Sequence, residues 1–157
     1  MSKARPVSIL MAEDDDDDFE LARMAFEKAR LDIPLSRVKD GEELMDFLLR
    51  RGAYKDAPEL PFPLLVLLDL RMPKKDGWEA LAEIKSNPVL RRIPVAILTT
   101  SNEDGDVSRC YDLGCNSYIK KPMGIGELAK VVQAVKDYWL EVVEFPRDSG
   151  KPPASAP

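Results

Sequence analysis

The 157-residue chain contains no histidine. That absence excludes Ser-His-Asp and Cys-His catalysis and imidazole metal sites, leaving carboxylates, lysine and hydroxyls for any chemistry. Cysteine is scarce too: Cys110 and Cys115 are too few for a disulfide framework, and they cannot complete a zinc site without further ligands. Reduced, structural thiols are expected. No apolar run approaches the roughly 20 residues of a membrane span, and MSKARPVSILMAEDD reaches acid before it could form a signal-peptide apolar region. A soluble, cytoplasmic protein with no membrane partner is the expectation. Nor is there a basic excess: the net charge is -5 and the lysines and arginines are scattered, which argues against a nucleic-acid surface. What the chain does have is 45% hydrophobic residues, enough for a core. One domain is expected over residues 1–146, followed by a disordered, proline-rich tail, RDSGKPPASAP, at 147–157.

Apolar periodicity orders the chain as strand and helix in alternation. Residues 7–12 read as a strand, and Phe19, Ala22, Phe26 and Ala29 recur behind it at helical spacing. A weaker strand at 33–38 leads through Asp40-Gly41 into the helical EELMDFLLRR, and the proline-bearing GAYKDAPELPFP at 52–63 reads as loop. LLVLLDL, residues 64–70, is apolar on both faces, as a central parallel strand covered by helices must be. A helix at 78–86, a strand at 94–99, a weakly patterned helix at 104–113, a strand at 117–120 and a long helix at 125–140 complete the series. Because parallel strands need crossovers, five strands alternating with five helices imply a doubly wound α/β domain with helices on both faces of the sheet.

In such sheets ligands bind beyond the carboxyl ends of the strands. Glu13 and Asp14 follow the first strand, Asp69 ends the third, Thr99 ends the fourth and Lys121 follows the fifth, so all fall at one edge. The run AEDDDDDF concentrates like charge there, and its repulsion needs a cation, a helix N-terminus or water. Asp16, Asp17 and Asp18 fit a solvated helix start, and Asp15 fits a helix cap or the pocket border. An EF-hand reading of Asp14, Asp16 and Asp18 fails, since Phe19 stands where its glycine belongs and Ala25 where its glutamate belongs. Trp78 reads as packing.

The acidic pair Glu13-Asp14, LLDLRMPKKDG at 67–77, ILTTS at the end of the fourth strand and YIKKP at 118–122 together resemble the receiver domain of two-component response regulators. The resemblance spans roughly residues 7–140. It implies a flavodoxin-like strand order 2-1-3-4-5 and a phosphoryl group accepted by Asp69 from a histidine kinase, whose histidine is the one missing here. It further implies Mg2+ held by Glu13, Asp14, Asp69 and the backbone carbonyl of Arg71, with Thr99 and Lys121 assisting, and Thr99 and Tyr118 as switch residues. The chain is then no turnover enzyme, catalysing only its own phosphorylation and dephosphorylation. Two departures are noted: glutamate as the first acid, and Met123 where an aromatic often follows the lysine-proline pair.

With little chain beyond the last helix, a stand-alone regulator is expected, signalling by protein contacts; the alternative is a phosphotransfer sink or relay. RRGAYKDAPELPFP and the ending DYWLEVVEFP resemble the small regulators associated with phytochromes, which implies a phytochrome-type kinase as donor. The apolar residues of the last helix cover an arc of roughly 200°, wider than the stripe of about 100° that one core contact needs. A homodimer through Tyr138, Trp139, Val142, Val143 and Phe145 is therefore expected, against the alternative that residues 142–145 fold back on the monomer. A haloacid-dehalogenase-type phosphatase would need a second acid after Asp69, but Leu70 and Arg71 follow it. A receiver-like domain that only binds partners is disfavoured because every chemical position is filled.

Overall fold

A computed structural model describes residues 7–57, 60–101 and 103–146. The tail expected at 147–157 lies outside the described residues. Strands β1 (Val7–Ala12), β2 (Leu35–Val38), β3 (Phe62–Leu68), β4 (Val95–Thr99) and β5 (Ser117–Lys120) form one parallel sheet in the order β2-β1-β3-β4-β5. The helices are α1 (Asp16–Lys28), α2 (Gly41–Leu49), α3 (Gly77–Ser86), α4 (Asp104–Asp112) and α5 (Ile125–Val135). This is the doubly wound order expected from the sequence.

Alternation along the strands builds two apolar layers. Ile9, Met11, Leu65, Leu67 and Leu98 point to the face covered by α1 and α5, where Phe26, Leu128 and Val132 meet them. Leu10, Ala12, Val66, Leu68 and Ile97 point to the other face, against Leu44, Phe47 and Leu48 of α2 and Leu81 and Ile84 of α3. Each fully buried leucine or isoleucine contributes about 1.5–3 kcal/mol. Three helices begin at an aspartate whose carboxylate accepts from the N–H three residues on: Asp15 from Asp18, Asp40 from Glu43 and Asp76 from Glu79. Each cap is worth about 1 kcal/mol.

Prolines account for two strand starts that differ from expectation. β2 starts at Leu35, not 33, and β4 at Val95, not 94, because Pro34 and Pro94 have no N–H to give and contribute only carbonyls, which accept from Ile9 and Val66. β3 runs over 62–68 instead of 64–70, so the loop expected at 52–63 ends earlier. Pro63 lies within this strand opposite Ser8, and the pairing shifts before Ile9 meets Leu65, a bulge that accommodates the missing donor. The loop also contains a short 3-10 turn, Gly52–Tyr54, whose Tyr54 ring packs edge-on to Phe47 at 5.0 Å. The last helix continues past α5 as a π-helical segment, Lys136–Val142.

Candidate functional site

The carboxyl ends of β1 and β3 lie side by side, because Ala12 pairs with Leu68. The residues that follow, Glu13 and Asp69, are therefore neighbours. One carboxylate oxygen from each of Glu13, Asp14 and Asp69 lies within 4.8 Å of the others, Glu13 buried and Asp14 exposed. Oxygen-only donors this close fit a hard divalent cation. Arg71, two residues beyond Asp69, is exposed and directs its backbone N–H to Asp69 Oδ1 at 3.5 Å.

Two further strand ends complete the surroundings of Asp69. Thr99, fully buried at the end of β4, donates its hydroxyl to Asp69 Oδ1 at 3.0 Å. Lys121, just past β5, is buried and donates to Glu13, with Asp69 Oδ2 3.5 Å from its Nζ. Glu13, Asp14, Thr99 and Lys121 thus gather around the Asp69 carboxylate, and Arg71 reaches it through its N–H. Tyr118 stands apart, its hydroxyl donating to the Ser101 carbonyl at 2.7 Å while its ring packs on the core.

Burial sets the electrostatics. It pushes the Glu13 carboxyl up to about 7, against the hydrogen bond from Lys121 and with the help of the negative Asp69. Burial also opposes the charge of Lys121, but the Glu13 hydrogen bond and the charges of Asp69, Glu13 and Asp18 outweigh it and hold the ammonium above its ordinary range.

Several contacts went unread in the sequence. Asp18 lies in the first turn of α1, as the sequence predicts, and also pairs with Lys121 at 3.2 Å. Asp16 is ion-paired with Arg37 at 2.8 Å. Arg37 of β2 also donates to the backbone carbonyl of Glu13 at 3.0 Å and lies over the Phe19 ring, bracing the loop that carries the acids. The one signal for Arg37 was a cation inside an otherwise unremarkable strand. Asp15 does cap α1. Trp78 packs as expected, with the Arg109 guanidinium 4.3 Å over its ring, and it lines a cavity of about 480 Å³ with Leu70, Arg71, Met72, Asp76 and Asp106. Met123, noted as a departure from the aromatic that often follows the lysine-proline pair, is fully exposed.

The broad apolar arc of the last helix is shared out. Trp139 and Leu140 pack against the α1/α5 layer of the chain's own core, and Phe145 lies 6.5 Å from the Trp139 ring. Val143 returns a backbone bond to Tyr138, while Tyr138 and Val142 are exposed. No helix among the described residues is long and apolar enough to cross a membrane.

Comparison with known proteins finds the same fold. The chain is 43% identical to response regulator Rcp1 of Synechocystis sp. over 141 residues, 90% of this chain and 94% of Rcp1. The crystal structure of the Mn2+-bound form of Rcp1 superposes with a TM-score of 0.79 over 88% of this chain and 98% of that one. The phosphorylated cyanobacterial phytochrome response regulator RcpA, 39% identical, does so at 0.82 over 91% and 99%. The model of the response regulator receiver domain matches residues 9–133, and the chain belongs to that family.

Proposed function

We propose that Asp69 accepts a phosphoryl group from a histidine kinase in a Mg2+-dependent step, and that the chain signals through protein contacts that depend on that group. The observation that carries this reading is the convergence of two acids, a buried lysine and a buried threonine hydroxyl on one strand-end carboxylate. Glu13, Asp14 and Asp69, with the Arg71 carbonyl, would hold the cation. When bound, it supplies positive charge to the phosphoryl oxygens and relieves the repulsion among the acids.

A carboxylate oxygen of Asp69 forms the bond to phosphorus as the phosphorus–nitrogen bond of the donor phosphohistidine breaks. The imidazole leaves and takes a proton from solvent. The product is an acyl phosphate, so the chain is a stoichiometric acceptor. Lys121 directs its ammonium at the negative oxygens, and Thr99 turns its hydroxyl from Asp69 to the new group. Tyr118 releases Ser101 and turns inward as Thr99 moves, which remodels the face made by α4, β5 and α5.

Likeness to RcpA supports a phytochrome-type kinase as donor. The exposure of Tyr138 and Val142, beside Trp139, Val143 and Phe145, supports a homodimer on this end of the molecule. The test is incubation with Mg2+ and acetyl phosphate followed by intact mass. The parent chain should gain one phosphoryl group and Asp69→Asn none, and Asp14→Ala should lose the Mg2+ dependence. Label persisting on a serine or threonine of Asp69→Asn refutes the assignment.

A further inference from the structure

Lys121 has three N–H donors and three carboxylates around them: Glu13, Asp18 at 3.2 Å and Asp69 at 3.5 Å. Glu13 and Asp69 belong to the strand ends that make the site. Asp18 comes from elsewhere, the first turn of α1, and it is not one of the three acids gathered for a cation. A helix-start acid needs no lysine: the macrodipole alone favours it, and the adjacent Asp17 is exposed. The side chain of Asp18 is partly withdrawn from solvent and tied to a buried ammonium instead.

Lys121 is therefore shared between the acceptor and a carboxylate that has no part in accepting. A phosphoryl group on Asp69 would leave a charge of about −1.5 to −2 where the carboxylate held about −1, and require the lysine's donors. Asp18 retains one of those donors. It also repels the group directly, because two carboxylates so close to one nitrogen cannot be more than about 7 Å apart, where like charges at a partly buried site interact appreciably. Both effects have the same sign.

We infer that Asp18 is a positioning residue for Lys121, a competing anchor that holds the ammonium back and weakens the site's grip on an anionic phosphoryl group. This rests on the reading of Asp69 as the acceptor. A purely structural Asp18 predicts the opposite sign, since losing a helix-start acid and an ion pair would loosen the site.

The test is titration with beryllofluoride, a phosphoryl mimic, at saturating Mg2+, into the parent chain, Asp18→Asn, Asp18→Ser and Asp17→Asn, read by calorimetry. Serine keeps a helix-start acceptor should asparagine fold poorly. Both Asp18 variants should bind about tenfold more tightly than the parent, and Asp17→Asn within about twofold of it. Asp18 variants that bind equally or more weakly overturn the inference, as does Asp17→Asn tightening to the same degree, which would make the effect one of net charge. A parent chain that takes up no beryllofluoride overturns the acceptor reading itself and this inference with it.

Discussion

Replacing Gly77 by alanine should damage both the fold and the site, although alanine is the better helix former. Gly77 opens α3, and its N–H donates to the Leu70 carbonyl at 2.9 Å, so the helix start lies directly on the backbone that carries Asp69. A Cβ there would stand 2.3 Å from the Asp69 carbonyl oxygen and 2.7 Å from the Leu70 Cα. Carbon contacts settle near 3.5–4.0 Å, so backbone must move by about 1 Å. The helix-propensity gain is at most about 1 kcal/mol, and overpacking against backbone costs typically 1–3 kcal/mol or more, so the clash wins. The expected net loss is about 2 kcal/mol, or roughly 4–8 °C in Tm for a domain of this size. Gly126→Ala is the matched control: it lies in α5 with nothing within 4 Å of the added carbon, and it should stabilise by about 0.5–1 kcal/mol. Urea midpoints measure the first effect, and the rate of phosphoryl uptake from acetyl phosphate measures the displacement of Asp69. A Gly77→Ala chain as stable as the parent and phosphorylated at the parental rate would refute the argument from close approach.

Further outcomes are expected at the two thiols, at Glu13 and at the C-terminal helix. Burial, then the neighbouring Cys115, pushes the Cys110 thiol up to about 12, and burial raises Cys115 as well, so the native protein should resist iodoacetamide at pH 8 while the urea-unfolded chain reacts at both. Both thiols contribute fully to stability below about pH 9, their unfolded value; the Cys110 contribution is lost as pH rises toward 12 and that of Cys115 declines in the same direction, so the urea midpoint should fall between about pH 9 and 11. Because burial raises Glu13 to about 7, a cation must displace its proton below that pH; Mg2+ affinity should fall up to about tenfold per unit below pH 7 and level off above it, and Glu13→Gln should flatten the profile. In the metal-free chain the same shift favours folding below about pH 4.5 and is lost as pH rises through 7. Val142→Lys should convert a dimeric parent to monomer in sedimentation at micromolar concentration, and a monomeric parent would refute the interface.

Much of this was legible because strand ends are marked twice, by the close of an apolar run and by the polar residue beyond it. Asp69 and Lys121 could be placed from apolar pattern alone, and the parallel topology then brings them together. Asp18 could not be placed in the same way. Its position in a helix's first turn has a sufficient local explanation, and its partner lies 103 residues away, so nothing local separates an acid serving the dipole from one serving a lysine. Arg37 was hidden for a related reason: its partners are a backbone carbonyl and an exposed acid, neither of which leaves a pattern. The bulge at Pro63 and the π-helical end depend on pairing and packing across the molecule, where hydrophobic periodicity carries no information.

The two-sided sheet also makes the acids punctuation. From Ile9 to Ala12 in β1 and from Leu65 to Leu68 in β3 both faces are apolar and buried, so sliding β1 past β3 by a residue would exchange Ile9 for Leu10 between layers at little cost in greasiness. Charge forbids the slide. A one-residue step of β1 toward its N-terminus would carry Glu13 into the ladder opposite Leu68, where Ala12 now sits, and turn its carboxylate toward the apolar layer under α2 and α3. A chain stripped of these acids would therefore be a poorer timekeeper for its own strand alignment, quite apart from any loss of chemistry.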